Sequence, residues 1–443
     1  MVAMSSPGSG NRPSITRRGA GAVGIAMVVV SLAGYVILLV TARGLSLEDN
    51  TAFLTFWSLQ FFCFGVLTGL QNEMTRAVRQ SAEEEGESHP TGHSRTLPVA
   101  LLLGTTEAGL VLMLLPWGDS VLGAGHGSGL LWAALGVILY SGHCGINGAM
   151  AGAGRWASYG VLLSTEALAR LALVTGLLAA VGPGGPGLLV AEVATAAAAG
   201  SWLALTLLNR DVRAAWASRS DRSATRLVSS SARAMTGGVG NAVLLVGFPV
   251  LLSMTTPATE YAGAAPFLLA ISLTRAPIMM PLSAFQGIVI THFIDTPEHR
   301  ARTLARFCAV ILGVAALGAL LAALIGPWLM KVLFGPDYGV NALALAALTV
   351  SAGLIAIQTI IAALLLALSR QGAYAIGWLV SAAVCILILL GPWALELRAV
   401  LALLVGTGSG ILVHLALLMH APMPPSPTSG HAADAPASAA SRH

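Results

Sequence analysis

Four ionisable side chains stand where a chain rarely places any. Arg275 lies in "FLLAISLTRAPIMMPLSAFQGIVI", flanked by apolar residues for about two helical turns on each side. Arg170 lies in "GVLLSTEALARLALVTGLL" with Glu166 four residues before it, and Glu107 lies in "LLLGTTEAGLVLML". A charge at the centre of a bilayer costs at least about 2.5–3.5 kcal/mol on insertion scales, so each of these groups calls for a cavity, a partner or a proton.

The chemistry each could perform differs. Pro277 and Pro281 follow Arg275 and remove the amides that the carbonyls of Leu273 and Pro277 would otherwise accept. Freed carbonyls in a membrane need a wet cavity or a neighbouring helix. An arginine beside broken backbone therefore points to an anion site; packing against a carboxylate is the competing reading. Leu268, Ser272, Met279, Leu282 and Gln286 fall on nearly the same helical face as Arg275. Glu166 and Arg170 share a face as an ion pair, which lowers its own insertion cost, and a substrate contact from Arg170 is the alternative. Glu107 has no local partner; it could carry a coupling proton or bond a neighbouring helix. His143 is a further candidate proton carrier, although a lone helical histidine is more often a packed one.

These residues must be positioned by membrane helices. Of 443 residues, 56% are hydrophobic and 9% charged, and the mean hydropathy is +0.80. A soluble domain of this size carries roughly 25% charged residues. Long apolar runs without strict alternation read as transmembrane helices rather than barrel strands. Twelve are expected, at 21–42, 51–70, 97–115, 130–150, 159–181, 188–208, 235–254, 267–290, 307–325, 343–366, 374–390 and 400–418. The first lacks a small-residue cleavage site and reads as a retained helix.

An even number of spans puts both termini on one side. All but five of the 23 basic residues fall on that side; Arg43, Lys331 and Arg398 fall on the other, and Arg170 and Arg275 lie inside spans. Basic residues accumulate on the cytoplasmic side, so both termini are expected there, in a multi-pass protein of the plasma membrane. The net charge of +4 then reports topology and calls for no nucleic-acid partner.

The opposite loops are short, as in "VGPGGPG", and leave no room for the outer domain of a membrane polymerase or glycosyltransferase, so no enzyme and no catalytic residue is expected. Cys63, Cys144, Cys308 and Cys385 show no paired spacing and read as small buried residues, not as a metal site. "GTGSG" at 406–410 lacks the lysine of a phosphate loop. No cofactor is expected; a proton, sodium or the membrane potential could supply coupling. The "GINGAMAGAG" string reads as a close helix contact.

The chain repeats itself. At an offset of 215, "AGAGRWASYGVLL" falls on "LALSRQGAYAIGW", Gln71 on Gln286, Gln60 on Arg275, His143 on Gln358 and Gly34 on Pro249. Six helices per copy give a parallel repeat: an N-terminal segment 1–20, an N-lobe 21–208, an inter-lobe loop 209–234, a C-lobe 235–420 and a Pro/Ala/Ser-rich, disordered tail 421–443. Transporters of this plan bind substrate between the halves. Arg275, Arg170, Gln60, Asn241 and Gln286 are the expected substrate contacts; Gly34, Pro249, Pro277 and Pro281 are the expected bending points.

"LLVTARGLSLEDNTAFLTFWSLQFFCFGVLTGLQNEMTRAVRQ" resembles the first helix pair of the polysaccharide-transporter branch of the multidrug/oligosaccharidyl-lipid/polysaccharide (MOP) exporter superfamily. "VLFGPDYGVNALALAALTVSAGLIAIQTIIAALLLALSRQGAYAIG" resembles the ninth-to-eleventh-helix region of the same branch. The resemblance implies an all-α integral membrane fold of two six-helix bundles. It also implies a flippase that moves polyprenyl-(di)phosphate-linked glycan outward by alternating access, using cationic residues in a central cavity, among which Arg275 matches best. Membrane lipids and the glycosyltransferases or polymerase of the same envelope pathway are the implied partners. The sequence lacks the arginines in its first two helices that peptidoglycan-precursor flippases carry. A cation-coupled multidrug or metabolite exporter of the same superfamily is the alternative. The facilitator-superfamily signature between spans two and three is absent, and a scaffold would not need midspan arginines.

Overall fold

With no water to bond the peptide groups, apolar segments in lipid satisfy them internally as helices. The computed structural model follows that demand and describes residues 17–84, 94–182, 184–275, 278, 300–368 and 370–420. Among the described residues, nine helices are long and apolar enough to cross a membrane, or eleven if each of two bent pairs is one span. The first six spans are α1 (Arg17–Gly44), α2 (Leu47–Glu84), α3 (Thr96–Leu112), α5 (Gly129–Gly152), α6 (Trp156–Val181) and the bent pair α7 (Gly187–Ala198) with α8 (Ser201–Leu208); a short α4 (Gly118–Leu122) joins α3 to α5. The connection between halves holds α9 (Arg210–Ala215). The second set is the bent pair α10 (Ala224–Leu245) with α11 (Phe248–Met254), then a single-turn α12 (Ala258–Tyr261), α13 (Ala265–Arg275), α14 (Arg300–Phe334), α15 (Ala342–Ala367), α16 (Gln371–Leu389) and α17 (Leu395–Met419). α13 is the described beginning of the expected eighth span. Pro277, Pro281 and Gln286 lie outside the described residues, as does the tail after residue 420.

The two halves repeat their packing. In the N-lobe α3 lies on α5, α5 on α7, and α6 on both α7 and α1; in the C-lobe α14 lies on α15, α15 on α17, and α16 on both α17 and α10. The seam is formed by α2 against α10 and α11. Each lobe's core borrows from the other: Leu227, Met235 and Ala242 of α10 pack into the N-lobe core, while Leu38, Ala42 and Leu54 pack into the C-lobe core. Small residues set the close approaches. A Cβ on Gly148 or Gly152 would stand 2.7 Å from the Gln71 or Thr75 carbonyl of α2, as the small-residue string implied.

Two loops are more ordered than hydropathy indicates. α2 continues past the expected end at residue 70 to Glu84, and α10 begins at Ala224 within the expected inter-lobe loop. Hydropathy marks where a helix leaves lipid, whereas good helix formers continue it into water. The segment leading into α10 meets the extended α2, where Arg222 reaches Glu73 at 3.4 Å, and it pairs through Arg219–Ser220 antiparallel with Ser94–Arg95. These contacts, with the Arg155–Asp211 pair at 3.5 Å, gather the arginine-rich end of the bundle.

Candidate functional site

The site begins with one missing amide. In an unbroken helix the N–H of residue 249 would bond the carbonyl of Leu245. Pro249 has no N–H. Upstream, the amides of Val246 and Gly247 both go to the Ala242 carbonyl, at 2.9 and 3.0 Å, and downstream Val250 and Leu251 both turn to the Gly247 carbonyl. The helix axis bends by 70° between α10 and α11. Four consecutive carbonyls, from Val243 to Val246, lose their helical donors, and those of Leu244, Leu245 and Val246 are answered from outside the helix.

Side chains from two other helices take their place. Nη1 of Arg275, at the end of α13, donates to the Leu244 carbonyl at 2.9 Å and to the Leu245 carbonyl at 2.8 Å. The Ser58 hydroxyl of α2 donates to the Val246 carbonyl across the seam. The Phe248 ring lies 5.8 Å from the guanidinium carbon. Arg275 is 7% exposed, and its Nε and Nη2 have no hydrogen-bond partner among the described residues. Among those residues no carboxylate answers it; its partners are backbone oxygens, which leave its charge uncancelled.

Arg275 forms part of the wall of a 270 Å³ cavity in the seam, together with Trp57, Ser58, Val246, Pro249 and Ser272. A second cavity, of 620 Å³, lies on the arginine-rich side of the elbow and is lined by Asn72, Glu73, Arg233, Asn241, Gln371 and Tyr374 among others. The two share Leu245 and Val246. Toward the opposite end the lobes are tied together. Arg43 of α1 donates to the Val332 and Leu333 carbonyls at the end of α14, at 2.6 and 2.7 Å. Asn50 donates to the Tyr338 hydroxyl at 2.9 Å, Thr51 to the Ala262 carbonyl at 2.9 Å, and the Thr55 and Tyr261 hydroxyls stand 2.6 Å apart.

The other expected residues that are described are placed elsewhere, apart from Asn241, whose Oδ1 has no partner among the described residues and lies on the larger cavity. Arg170 is ion-paired with Glu166 and surrounded by Trp57, Phe61 and Phe64, with ring centroids 5.6, 4.8 and 5.9 Å from its guanidinium carbon. It is on the wall of neither seam cavity. Gln60, the repeat equivalent of Arg275, is not brought to it; it turns into the N-lobe against Gly136 of α5. Glu107 is buried in the N-lobe beside the Cys63 thiol, with Oε2 lacking a partner among the described residues. His143 shares a 2.8 Å hydrogen bond with Asn147 and stacks on Tyr140. At Gly34 no break occurs: α1 runs as one helix from Arg17 to Gly44, because a glycine keeps the amide that a proline lacks. Among the described residues no group of His, Cys, Asp and Glu could hold a metal ion.

Sequence reasoning missed Ser58, Trp57 and Arg43. Nothing marks a serine or a tryptophan in an apolar run as a seam residue. Glu192 of α7 was legible: it is a single carboxylate in a charge-free run, as Glu107 is, and it is 3% exposed against Gly129.

No known family model matches the chain. It is 35% identical over 410 residues to the uncharacterized protein Rv1510 of Mycobacterium tuberculosis, covering 92% of this chain and 93% of that one. It is 33% identical over 402 residues to the uncharacterized protein Rv3630 of the same species, covering 89% and 91%. Solved structures of low identity share the fold. An inward-facing multidrug resistance MATE transporter of the MOP superfamily superposes with a TM-score of 0.65 at 16% identity, over 91% of this chain and 98% of its own. A MOP superfamily transporter from Pyrococcus furiosus, described by the reverse polarity of its binding pocket, superposes at 0.62 with 14% identity, over 94% and 99%.

Proposed function

The chain belongs to the family of Rv1510 and Rv3630 and has the fold of MOP superfamily transporters, and from that premise we propose that it is a membrane transporter for a polyprenyl-(di)phosphate-linked glycan or a related anionic lipid-linked sugar. The observation that carries this reading is Arg275: a buried guanidinium on the wall of a cavity between the lobes, with no carboxylate partner among the described residues and with Nε and Nη2 unengaged. An isolated buried cation is costly, and a ligand oxyanion offsets that cost with charge-assisted bonds. The larger cavity beside it offers amide, hydroxyl and guanidinium groups from Asn72, Asn241, Tyr374 and Arg233, the donors and acceptors a sugar head would use.

In this reading the arginine-rich end faces the cytoplasm, and the head group enters there while Arg43, Asn50, Thr51 and Thr55 hold the other end shut. Rocking of the two lobes would reverse the closure. An inside-negative potential favours outward movement of an anion by about 2.3 kcal/mol per charge per 100 mV, so the step needs no nucleotide. The Pyrococcus transporter, with its binding pocket of reverse polarity, supplies a precedent for a change of pocket charge on this fold.

The test is transport of a fluorescent polyprenyl-diphosphate-linked sugar across vesicles containing the whole chain. Arg275→Ala is expected to lower the rate about a hundredfold, as loss of a buried charge-assisted pair does. An unchanged rate removes the proposed site. Deletion of the gene followed by lipid analysis would name the glycan by its accumulation.

A second reading has its own support. Glu107 and Glu192 are buried carboxylates without a salt-bridge partner among the described residues, as a cation-coupled multidrug or metabolite exporter would require. That reading expects efflux of a cationic dye to fall in Glu107→Gln or Glu192→Gln and to be indifferent to Arg275→Ala.

A further inference from the structure

We infer that the break in the seventh span is a positioning device, and that Pro249 holds Arg275 in its anion-binding orientation by withholding an amide from the Leu245 carbonyl. The inference rests on the anion reading of Arg275 and assigns the cause of its geometry.

A guanidinium presents five N–H donors in a planar fork. In this chain a single nitrogen, Nη1, makes both carbonyl bonds, at 2.9 and 2.8 Å. Two acceptors on adjacent residues fix the plane of the group as well as its position. They occupy the side of the fork opposite Nε and Nη2, which stay without a partner among the described residues. Those two nitrogens form the edge that pairs bidentately with a phosphate or carboxylate. The anchoring and the binding functions therefore use different donors, and an arriving oxyanion need not displace the anchor.

The anchor exists because the elbow is open. Were residue 249 able to donate, the Leu245 carbonyl would have its helical partner, the helix would tend to run on, and Nη1 would lose an acceptor. Ser58 supports the same elbow from the other lobe by bonding the Val246 carbonyl. The device is confined to one half. Gly34, the repeat equivalent of Pro249, lies in an unbroken helix, and Gln60, the equivalent of Arg275, faces its own lobe.

The experiment compares two replacements of Pro249 in the full chain, in vesicles with a fluorescent polyprenyl-diphosphate sugar as the probe. Pro249→Ala restores the amide. The second replacement incorporates an α-hydroxy acid at 249, which lacks both the proline ring and the N–H. Pro249→Ala is expected to raise KM about tenfold with little change in kcat, the effect of one lost charge-assisted contact. The hydroxy-acid variant is expected to keep KM within about twofold of the parent, since it still leaves the Leu245 carbonyl free. A merely structural proline would predict that the two variants fail together. If both raise KM alike, or if neither does while Arg275→Ala abolishes transport, the positioning role is wrong and the anion site stands. If Arg275→Ala also leaves transport intact, the site itself falls. Should Pro249→Ala fail to fold, the folded hydroxy-acid variant decides: a tenfold rise in its KM overturns the inference.

Discussion

Arg170 and Arg275 are the same residue at nearly the same depth, 4% and 7% exposed, and their surroundings are opposite. Arg170 is closed inside the N-lobe. Its charge is cancelled by Glu166 one turn away on the same helix, and three aromatic rings cover it. Arg275 stands at the seam. Carbonyl dipoles of a broken helix hold it without cancelling its charge. The comparison teaches that a buried arginine becomes a binding group through what it is denied. An ion pair cancels the charge of a guanidinium even where its Nε stays without a partner, as at Arg170, whereas two carbonyls on one nitrogen fix the group and leave its charge unanswered among the described residues.

Three experiments would break or sharpen that contrast, in addition to those on Arg275→Ala and Pro249→Ala. The largest effect is expected on stability, from Arg170→Ala, which strands the Glu166 carboxylate in the N-lobe core at a cost of about 3–5 kcal/mol. It should appear as lost expression and a lowered Tm in detergent. Replacing both partners together, Glu166→Leu with Arg170→Leu, should restore most of that stability. A double variant that folds but transports nothing would show that the N-lobe pair takes part in transport and would undo the contrast.

The next effect is expected from Arg275→Lys, which keeps a charge and discards the planar fork. Transport should fall about tenfold, less than for the alanine variant, because an ammonium cannot bond two carbonyls and an oxyanion in fixed geometry. Equal rates for lysine and arginine would reduce the site to a simple charge. The smallest effect is expected at the closed end. Arg43→Ala removes two bonds to the end of α14 at an exposed position. It should raise labelling of Leu54→Cys by an impermeant thiol reagent, added from that side, about threefold, the scale of one exposed contact. No change would mean that Asn50, Thr51 and Thr55 suffice to hold the lobes together.

Much of the architecture was readable before any coordinates. The spans followed from apolar length. The halves followed from the 215-residue offset, and their recurrence appears in the matched packing of α3 on α5 and α14 on α15. Arg275 was singled out by a charge in an apolar run, and Pro249 as a bending point by its alignment with Gly34 in the repeat. At Gly34 the helix is continuous, since alignment with Pro249 does not confer the missing amide that breaks a helix. Gln60 misled: a repeat fixes which helix a residue occupies, but a rotation of that helix by a fraction of a turn decides whether it faces the seam or its own lobe.

What the order of amino acids determined on its own is therefore local and additive: which segments cross, how many, which one lacks an N–H, and where a charge is stranded. Hydropathy and backbone bonding act over a few turns, so they can be read in one dimension. Only the tertiary structure decided that the carbonyls freed at the elbow would meet the guanidinium of Arg275 from the next span, that a serine from the other half would complete the elbow, and that Arg170 would be enclosed by three aromatic rings inside one lobe while Arg275 stands on the wall of a seam cavity. Those outcomes depend on the rotation and crossing of helices from different parts of the chain, and each is selected by the packing of the whole bundle rather than by any segment of it.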